Sequence, residues 1–290
     1  MSRSGATGIH SSPWSSSPPM NRLPVFLALV LLLPVQAAGL PRESRVPGGI
    51  AIVPLDGGSP PTAVYLGKRR VMTVQDHDKW LAIVGIPLET PPGQLRLTIT
   101  SRAGEAREED IDVAAKAYAE QHLTVKNRRH VHPTGADMQR IERERGIKEK
   151  MKASWRPEAP DLSFVAPIDG RRSGSFGLRR FFNGEPRRPH SGMDIAAPRG
   201  TPVRAPSPGR VLYTGNFFFS GNMVYLDHGS GLISLYAHLD RIRVRPGQDV
   251  GKGEIIGDVG ATGRVTGPHL HWTVYLNGTA VDPALFVPGP

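Results

Sequence analysis

The sequence predicts a mainly β protein in which a small β domain, a charged and partly helical linker and a second β region follow one another. Three observations support this fold class. Short apolar or alternating runs are separated by Gly and Pro, the composition changes between residues 105 and 155, and the strand pattern returns from Phe164. The 33 glycines and 28 prolines among 290 residues favour turns and short strands over long helices.

The first 38 residues have the pattern of a secretory leader. Met20, Asn21 and Arg22 precede an uncharged apolar run at 23–35, and small residues follow it. The run is shorter than the roughly 20 apolar residues that span a membrane. We expect translation to start at Met20. We also expect an exported protein, periplasmic or secreted, which stays anchored to the inner membrane if the leader is not cleaved.

Residues 45–103 predict the small N-terminal β domain. Its five β-like runs, GGIAIVPL, TAVYL, VMTVQ, WLAIVGIPL and QLRLTIT, are separated by Gly, Pro and Asp clusters. Residues 104–158 predict the linker, within which 136–154 have the character of a helix. The apolar stripe of that helix would be narrow and consist of Met138, Ile141, Ile147 and Met151.

Composition limits the classes of function. The chain has no cysteine, which excludes disulfides, a lipoprotein anchor and cysteine-based zinc sites, so a metal would need His, Asp or Glu ligands. Arg3 and Arg22 are the only charged residues in the leader, so eight of the ten net positive charges belong to the exported part. A basic exported protein meets anionic surfaces such as cell wall or lipid head groups. No nucleic-acid motif is present, and we expect no nucleic-acid partner.

Two C-terminal runs point histidines away from apolar faces, because residues i and i+2 of a strand share a face. In HLHWTVYL, 269–276, the alternation places His269 and His271 opposite the apolar face. In LISLYAHL, 232–239, it predicts that His238 points away from the core. The predicted core residues are Leu270, Trp272, Val274 and Leu276 in the first run, and Ile233, Leu235, Ala237 and Leu239 in the second.

The segment HSGMD, 190–194, supplies the remaining candidates for a metal site. His190 and Asp194 are four residues apart and share a face in an extended segment, while Gly192 would let the backbone approach a neighbour closely. A catalytic zinc ion needs three protein ligands, typically His and carboxylate, and one open position for water. His190, Asp194 and one of the C-terminal histidines would satisfy that count.

A second histidine pair and three arginine pairs are weaker candidates for functional groups. His130 and His132 form another HxH pair, but no carboxylate motif lies near it and we expect no metal there. The arginine pairs at 171–172, 179–180 and 187–188 favour a solvated basic loop. The alternative is an electrostatic guide for carboxylate-rich peptides.

HSGMDIAAPRGTPVRAPSPGRV, YAHL and GPHLHW, in this order, resemble the motifs of the lysostaphin-type (LytM-like) zinc metallopeptidases, which are peptidoglycan endopeptidases. The similarity covers 164–286. The resemblance implies a small antiparallel β catalytic domain at 159–290, with a groove across one sheet, preceded by the small β domain and the helical linker. WLAIVGIPLETPPGQ, 80–94, also resembles the prodomain-like module of some exported members.

The resemblance implies a role for each motif residue. His190, Asp194 and His271 correspond to the ligands of one Zn²⁺ ion, and His269 and His238 to two non-ligand active-site histidines. No HExxH sequence is present, so we assign His269 as the base, with His238 as hydrogen-bond partner or oxyanion stabiliser; the two roles could be shared. Some members carry a tyrosine before the first ligand, where this chain has RRFFNGEP.

The implied function is an exported zinc metalloendopeptidase that hydrolyses peptide bonds in peptidoglycan stem peptides or cross-links. The resemblance also makes inhibition by the N-terminal region an expectation. One alternative is a non-catalytic cell-wall-binding or amidase-activating module, as in relatives that have lost ligands, although all five motif residues are kept here. A carrier domain, suggested by VxxGxxVxxGxxIG, lacks a lysine in a suitable hairpin.

Overall fold

The computed structural model describes residues 39–55, 61, 63–101, 103–125 and 127–288. The predicted leader and the start at Met20 lie outside these residues. Within them the protein is mainly β, with largely antiparallel sheets and one α-helix. The predicted fold class is therefore confirmed. In the same part of the chain, no helix is both long and apolar enough to cross a membrane.

Six antiparallel strands form the N-terminal sheet of the described chain, in the order β1-β4-β3-β2-β5-β6. They are β1 (Ile50–Leu55), β2 (Ala63–Leu66), β3 (Arg69–Asp76), β4 (Lys79–Gly85), β5 (Gly93–Thr100) and β6 (Ala106–Val113). The first five fall on the five predicted runs. The sixth lies inside the stretch predicted as linker, so the sheet extends beyond residue 103.

The N-terminal sheet packs on the C-terminal region through one of its faces. Met72 and Ile83 belong to the same buried apolar cluster as Leu276. The Asn277 side chain adds a polar contact, because it accepts a hydrogen bond from the Gly85 N–H (2.7 Å) and donates one to the Gly85 carbonyl (3.1 Å). The two β regions therefore share a core, and their relative position is fixed by burial as well as by hydrogen bonds.

The linker contributes strand β7 (Glu120–Leu123), a short 3₁₀ helix (Arg128–His130) and helix α1 (Gly135–Lys152). Thr134 caps α1: its hydroxyl accepts from the Asp137 N–H, while the Asp137 carboxylate accepts from the Thr134 N–H. This reciprocal capping box satisfies two backbone donors that a helix start would otherwise leave unpaired.

Helix α1 packs with only part of its predicted apolar stripe. Ile147 and Met151 contact a second apolar cluster, which consists of Phe217, Met223, Tyr225, Ile233, Leu235, Ala237 and Tyr275. Met138, at the first turn, is 53% exposed, so its assignment to the packed stripe is wrong. A helix with so few packed apolar side chains relies on its cap and on polar contacts to hold its place; one of these is the buried Glu144 carboxylate, which accepts a hydrogen bond from the Phe218 N–H.

The remaining strands form the C-terminal β region. They are β8 (Arg171–Gly174), β9 (Arg179–Phe182), β10 (Glu185–Pro186), β11 (Met193–Ala196), β12 (Pro202–Arg204), β13 (Gly209–Phe217), β14 (Gly221–Gly229), β15 (Leu232–Ile242), β16 (Asp249–Val250), β17 (Ile255–Val259), β18 (His269–Leu276) and β19 (Thr279–Val281). The main sheet has the order β16-β13-β14-β15-β18-β11-β8, and a smaller sheet has the order β10-β9-β7.

The main sheet is buried on both faces around its central strands. The predicted core face of β18 is confirmed: Leu270, Trp272, Val274 and Leu276 are fully buried in the main cluster. The four predicted core residues of β15 are buried as expected. The opposite face is buried too: Leu232 and Tyr236 pack with Trp272 in the main cluster, whereas Ile233, Leu235 and Ala237 lie in the second cluster. Alternation alone could not choose, since both faces of β15 carry apolar residues.

Candidate metal centre

Asp194 and His271 meet because β11 and β18 pair in one specific register. The two residues are directly opposite each other in this antiparallel pair, so their side chains emerge on the same face. Asp194 Oδ1 lies 2.8 Å from His271 Nδ1. The alternation of β18 therefore presents His271 to Asp194 while Trp272 enters the core.

His190 joins this pair from the segment just before β11. Its backbone is held by two hydrogen bonds, one from the His190 N–H to the Leu178 carbonyl and one from the Gly177 N–H to the His190 carbonyl. Its Nε2 atom lies 3.0 Å from both Asp194 Oδ1 and His271 Nδ1. In the described part of the chain, these three residues are the only group of three or more His, Asp or Glu side chains placed to share a metal ion.

Hydrogen bonds on the far side of each ring orient the two candidate histidine ligands. His190 Nδ1 lies 2.7 Å from the Ser175 carbonyl, which can only accept, so Nδ1 carries the proton and Nε2 presents its lone pair. His271 Nε2 lies 3.0 Å from the Thr273 hydroxyl, which can accept its proton and leave Nδ1 as the free atom. The two rings thus present different nitrogens to the same point.

Gly192 has the role expected of it, a close approach of backbone to a neighbour. A Cβ atom at this position would lie 2.5 Å from the Trp272 carbonyl oxygen, 2.6 Å from the Thr273 hydroxyl and 2.8 Å from the His271 ring. These distances are too short for any side chain. The turn between His190 and Asp194 can therefore pass beside His271 only with glycine.

His238 reaches the same face through a β-bulge. Between the pairs Val224↔Tyr236 and Asn222↔Leu239, two residues of β15 oppose one of β14. His238 is one of those two residues and adopts a φ of 65°, which turns its ring towards His269 and His271. Its predicted place away from the main core is confirmed, although by a bulge and not by alternation.

His269 and His238 lie side by side next to the candidate ligands, with ring centroids 4.9 Å apart. His269 Nδ1 lies 2.8 Å from the Gly267 carbonyl and His238 Nδ1 lies 2.8 Å from the Thr262 carbonyl. Each Nδ1 is therefore a donor, and each Nε2 remains available for proton transfer. His269 Nε2 is 3.8 Å from Asp194 Oδ1, so it stands beside the candidate ligands without replacing them.

The electrostatics of the cluster favour a charged Asp194 and neutral forms of His238 and His271. Burial opposes ionisation of Asp194, but the close contacts of Oδ1 with the His190 and His271 rings outweigh it, because a proton or cation held between these atoms favours the carboxylate; they hold the Asp194 pKa well below its usual range. Burial lowers the pKa of His271 to about 4, against an opposing effect of Asp194. Burial, followed by the charges of His271 and His269, lowers the pKa of His238.

The donor set of the cluster fits a zinc ion. Two imidazole lone pairs and one carboxylate oxygen point at one another across 2.8–3.0 Å, an arrangement that repels unless positive charge lies between the atoms. Ligand atoms in tetrahedral coordination at about 2.0 Å would be about 3.3 Å apart, so small shifts suffice to admit the ion. His190, Asp194 and His271 would be its ligands.

The other predicted polar groups lie outside this cluster. The His130 ring packs edge-on against Phe218, and His132 pairs with Glu185, so neither is placed with a carboxylate cluster. The expectation of a solvated basic loop is wrong for the first two arginine pairs, which lie in β8 and β9. Arg179 and Arg187 pair with Glu120 and Glu185. Arg180 is the exception: its side chain is 17% exposed and its guanidinium contacts Asp194.

The sequence did not identify the residues that orient the cluster. Ser175, Thr262 and Gly267 act through backbone carbonyls, which carry no side-chain signal. Arg180 and its partner Gln121 come from strands far apart in sequence. The sequence marks the arginine pair at 179–180 only as positive charge, because the contact of Arg180 with Asp194 depends on the tertiary fold.

Models of two domains match this chain. Peptidase family M23 matches residues 188–283, which include all five active-site candidates, and the peptidase family M23 N-terminal domain matches residues 43–116. The second match covers the N-terminal sheet, the region that resembles a prodomain-like module.

A solved structure described as a putative peptidase M23 from Pseudomonas aeruginosa is similar over most of the molecule. It is 39% identical, with a TM-score of 0.72, over 84% of this chain and 95% of that chain.

Curated relatives match a shorter region. Peptidoglycan DD-endopeptidase ShyA of Vibrio cholerae is 43% identical over 119 residues, 40% of this chain and 28% of the relative. DD-carboxypeptidase/endopeptidase Mpg of Neisseria meningitidis is 48% identical over 94 residues, 32% and 22% respectively.

The match to these two curated relatives spans about a quarter of their length. The likeness to the Pseudomonas aeruginosa structure, in contrast, covers nearly all of that chain and joins both β regions in one fold. Together with the two domain matches and the convergent His190, Asp194 and His271, this similarity establishes the family. The chain belongs to peptidase family M23.

Proposed function

We propose that the protein is an exported zinc metalloendopeptidase that hydrolyses peptide bonds in the stem peptides or cross-links of peptidoglycan. The observation that carries the proposal is the convergence of His190 Nε2, Asp194 Oδ1 and His271 Nδ1, with His269 and His238 beside them. Two imidazole nitrogens and one carboxylate oxygen that converge on one point favour the binding of a metal ion. The two adjacent imidazoles of His269 and His238 favour proton transfer.

The substrate class rests on the relatives and on charge. ShyA and Mpg carry names that assign them DD-endopeptidase activity, and this chain shares the region of its metal centre with them. The eight net positive charges of the exported part add an attraction to anionic polymers of the wall. Both observations support peptidoglycan peptides as the substrate and give no reason to expect nucleic acid.

Zinc, when bound, would lower the pKa of a bound water to about 7 and polarise the scissile carbonyl. The chain's own residues would move the proton. His269 holds its Nδ1 proton on the Gly267 carbonyl, so its Nε2 lone pair can accept a proton from the attacking water. It would later return that proton to the leaving amine.

His238 would act on the other reacting atom, the carbonyl oxygen. Its Nδ1 proton is committed to the Thr262 carbonyl and burial favours the neutral ring, so it would donate a hydrogen bond to the developing oxyanion only after Nε2 has taken up a proton during the reaction. The centroids of the His238 and His269 rings are 4.9 Å apart, so the two rings could share the proton taken from the attacking water. We therefore propose His269 as the main base and His238 as the stabiliser.

We propose export to the periplasm or the medium from the leader at residues 1–38. The support is its sequence: a basic start, a short apolar run and small residues after it. Fractionation followed by N-terminal sequencing of the recovered protein tests the proposal. A new N-terminus close to residue 38 in the periplasmic fraction is expected, and intact protein in the cytoplasm would contradict it.

We also propose that the N-terminal region limits access to the metal centre. The His269 and His271 side chains are each 15% exposed, which leaves little room for a peptide. The linker contributes to this shielding, since β7 pairs with β9 close to Asp194. Removal of residues before about 160 should raise the rate at saturating zinc, provided that circular dichroism shows a folded fragment. An unchanged rate would count against latency.

Digestion of purified cell walls tests the catalytic proposal against the alternative of a non-catalytic wall-binding or amidase-activating module. The zinc-loaded protein should release soluble fragments, and His269→Ala should reduce the rate at least about 100-fold while keeping its zinc, because general base catalysis contributes on that order. His77→Asn, a change of an 80% exposed histidine in the turn between β3 and β4, is the matched control. Wall binding without release of fragments by the wild type would favour the alternative.

A further inference from the structure

The second carboxylate oxygen of Asp194 has a dedicated partner. Oδ1 faces His190 and His271, whereas Oδ2 accepts a hydrogen bond from Arg180 Nη2 at 2.5 Å. The Arg180 and Asp194 side chains are only 17% and 10% exposed, so water competes little with this contact. The two oxygens of one carboxylate therefore have separate functions: one faces the candidate metal position and the other is occupied by a guanidinium.

The guanidinium of Arg180 is itself held from the other side by the linker. Strand β7 pairs in parallel with β9, and this register places Gln121 beside Arg180. Gln121 Oε1 accepts a hydrogen bond from Arg180 Nε at 2.9 Å. The planar Arg180 head group is thus fixed by two hydrogen bonds that use different nitrogens, which leaves it little freedom to rotate away from Asp194.

Space for the contact depends on a glycine in the neighbouring strand. A Cβ atom at Gly174 would lie 2.7 Å from Asp194 Oδ2 and 3.1 Å from Arg180 Nη2. Gly174 pairs with Asp194 across β8 and β11, so the sheet itself brings this backbone to the carboxylate. The ion pair therefore occupies a space that a larger residue in β8 would close.

We propose that Arg180, oriented by Gln121, is a positioning residue that holds Asp194 as a metal ligand through one oxygen only. The inference rests on the proposed metal site and adds a further requirement to it. A carboxylate without this partner can rotate about its terminal torsion or bind the ion through both oxygens. With Oδ2 occupied, Oδ1 stays at the point where His190 and His271 converge. The linker then helps to orient a metal ligand, because its Gln121 holds Arg180 and Arg180 holds Asp194.

Two effects of opposite sign would follow from loss of Arg180. Loss of orientation weakens metal binding, whereas loss of a positive charge beside a divalent cation strengthens it. Arg180→Gln removes both the charge and the fork-shaped donor, and Arg180→Lys keeps the charge but loses the fork. If orientation dominates, both variants bind zinc more weakly. If charge dominates, Arg180→Gln binds it more tightly.

The test measures the zinc dissociation constant of the full chain by competition with a chromogenic chelator, with no substrate present. We expect Arg180→Gln and Arg180→Lys to bind zinc about 10-fold more weakly or worse, the range for partners that orient metal ligands. The matched control is Arg179→Gln, the preceding residue of β9, whose side chain is 60% exposed and pairs with Glu120; it should stay within about twofold of wild type.

A spectroscopic measurement distinguishes positioning from general destabilisation. The cobalt-substituted protein has visible bands that report coordination number, and we expect those bands to change in Arg180→Gln and to remain in Arg179→Gln. Zinc affinity within twofold of wild type in both Arg180 variants, with unchanged cobalt bands, would overturn the proposal. Tighter zinc binding by Arg180→Gln would overturn it as well.

A second pair of variants tests the contribution of the linker and applies even if the Arg180 variants fail to fold. Gln121→Leu removes the acceptor for Arg180 Nε, and Gln121→Glu keeps it. We expect several-fold weaker zinc binding only in Gln121→Leu. Equal affinities in the two variants would overturn the role of Gln121. Zinc binding by the wild type without wall digestion would refute the peptidase proposal and leave the positioning result standing, so the two failures are distinguishable.

Discussion

Asp194 and His271 lie directly opposite each other in adjacent antiparallel strands, with Asp194 Oδ1 2.8 Å from His271 Nδ1. The residues are 77 positions apart in the sequence, so the register of β11 with β18 decides whether they meet at all. A shift of one residue would move the side chains of one strand to the other face and would separate the two groups. The candidate metal centre therefore depends on the register in which β11 and β18 pair.

Removal of either member of this pair should abolish tight zinc binding. Asp194→Asn keeps the shape of the side chain but removes the negative charge, and His271→Ala removes the ligand atom altogether. We expect each to weaken zinc binding more than about 100-fold, beyond the range for residues that merely orient ligands. Chelator competition measures the effect, and His77→Asn is the control. Near-normal affinity in Asp194→Asn would rule out Asp194 as a ligand.

His238 should be required for catalysis and dispensable for metal binding. Its φ of 65° is better tolerated by asparagine than by most residues, so His238→Asn preserves the bulge while removing the imidazole. We expect a fall in the rate of peptide hydrolysis of about 100-fold or more with unchanged zinc content. Rate measurement paired with metal analysis checks this. A variant that loses its zinc would show that His238 acts as a ligand.

His228 should make the protein sensitive to acid. It is buried, with Nδ1 2.8 Å from the Pro208 carbonyl and Nε2 2.7 Å from the Ser234 hydroxyl, and burial lowers its pKa to about 4. The unfolded chain, with an ordinary pKa near 6.5, binds the proton more readily, so stability is complete above pH 6.5 and falls as the pH drops towards 4. The loss attributable to this group is about 3 kcal/mol.

Urea unfolding at pH 7.5 and pH 4.5 measures this effect in wild type and in His228→Asn. The wild type should lose more unfolding free energy on acidification, because other buried histidines contribute equally to both proteins and cancel in the comparison. His77→Asn should behave like the wild type, since that histidine is 80% exposed. Equal losses in wild type and His228→Asn would contradict the prediction.

The contact between Asn277 and Gly85 should contribute measurably to stability. Asn277 has a φ of 40°, so Asn277→Gly retains the backbone conformation and removes both side-chain hydrogen bonds to Gly85. Two backbone groups at the boundary of the β regions then lose their partners, which costs about 1–3 kcal/mol for a buried group. Thermal or urea unfolding measures the loss; a change below about 0.5 kcal/mol would contradict the prediction.

Local patterns in the sequence identified much of the active-site face. The alternation in 269–276 correctly separated His269 and His271 from the core residues around Trp272, because each strand residue has only two possible faces. Gly192 was correctly associated with a close backbone approach. The five predicted strands of the N-terminal sheet were also found, since turns bounded by Gly, Pro and Asp mark their ends.

Long-range pairing and local irregularity account for what was missed. Alternation in β15 does not reveal that its second face is buried as well, because both faces carry apolar residues. The bulge at His238 contains no glycine that would indicate it in the sequence. The Arg180–Asp194 contact depends on β9, and its support from Gln121 depends on a parallel pairing with a strand of the linker. The residue pattern of β7 or of β9 alone does not predict that these two strands pair and bring Gln121 to Arg180.

The most direct test of the central claim is digestion of a purified cross-linked peptidoglycan dimer by the zinc-loaded protein in ¹⁸O-labelled water. We expect two peptide products, one carrying a single ¹⁸O in its new carboxyl group, and loss of this product after zinc removal or in His269→Ala. Mass spectrometry resolves these species. An intact dimer after incubation with protein of confirmed zinc content, or cleavage that persists without zinc, would contradict the assignment of a zinc endopeptidase built on His190, Asp194 and His271.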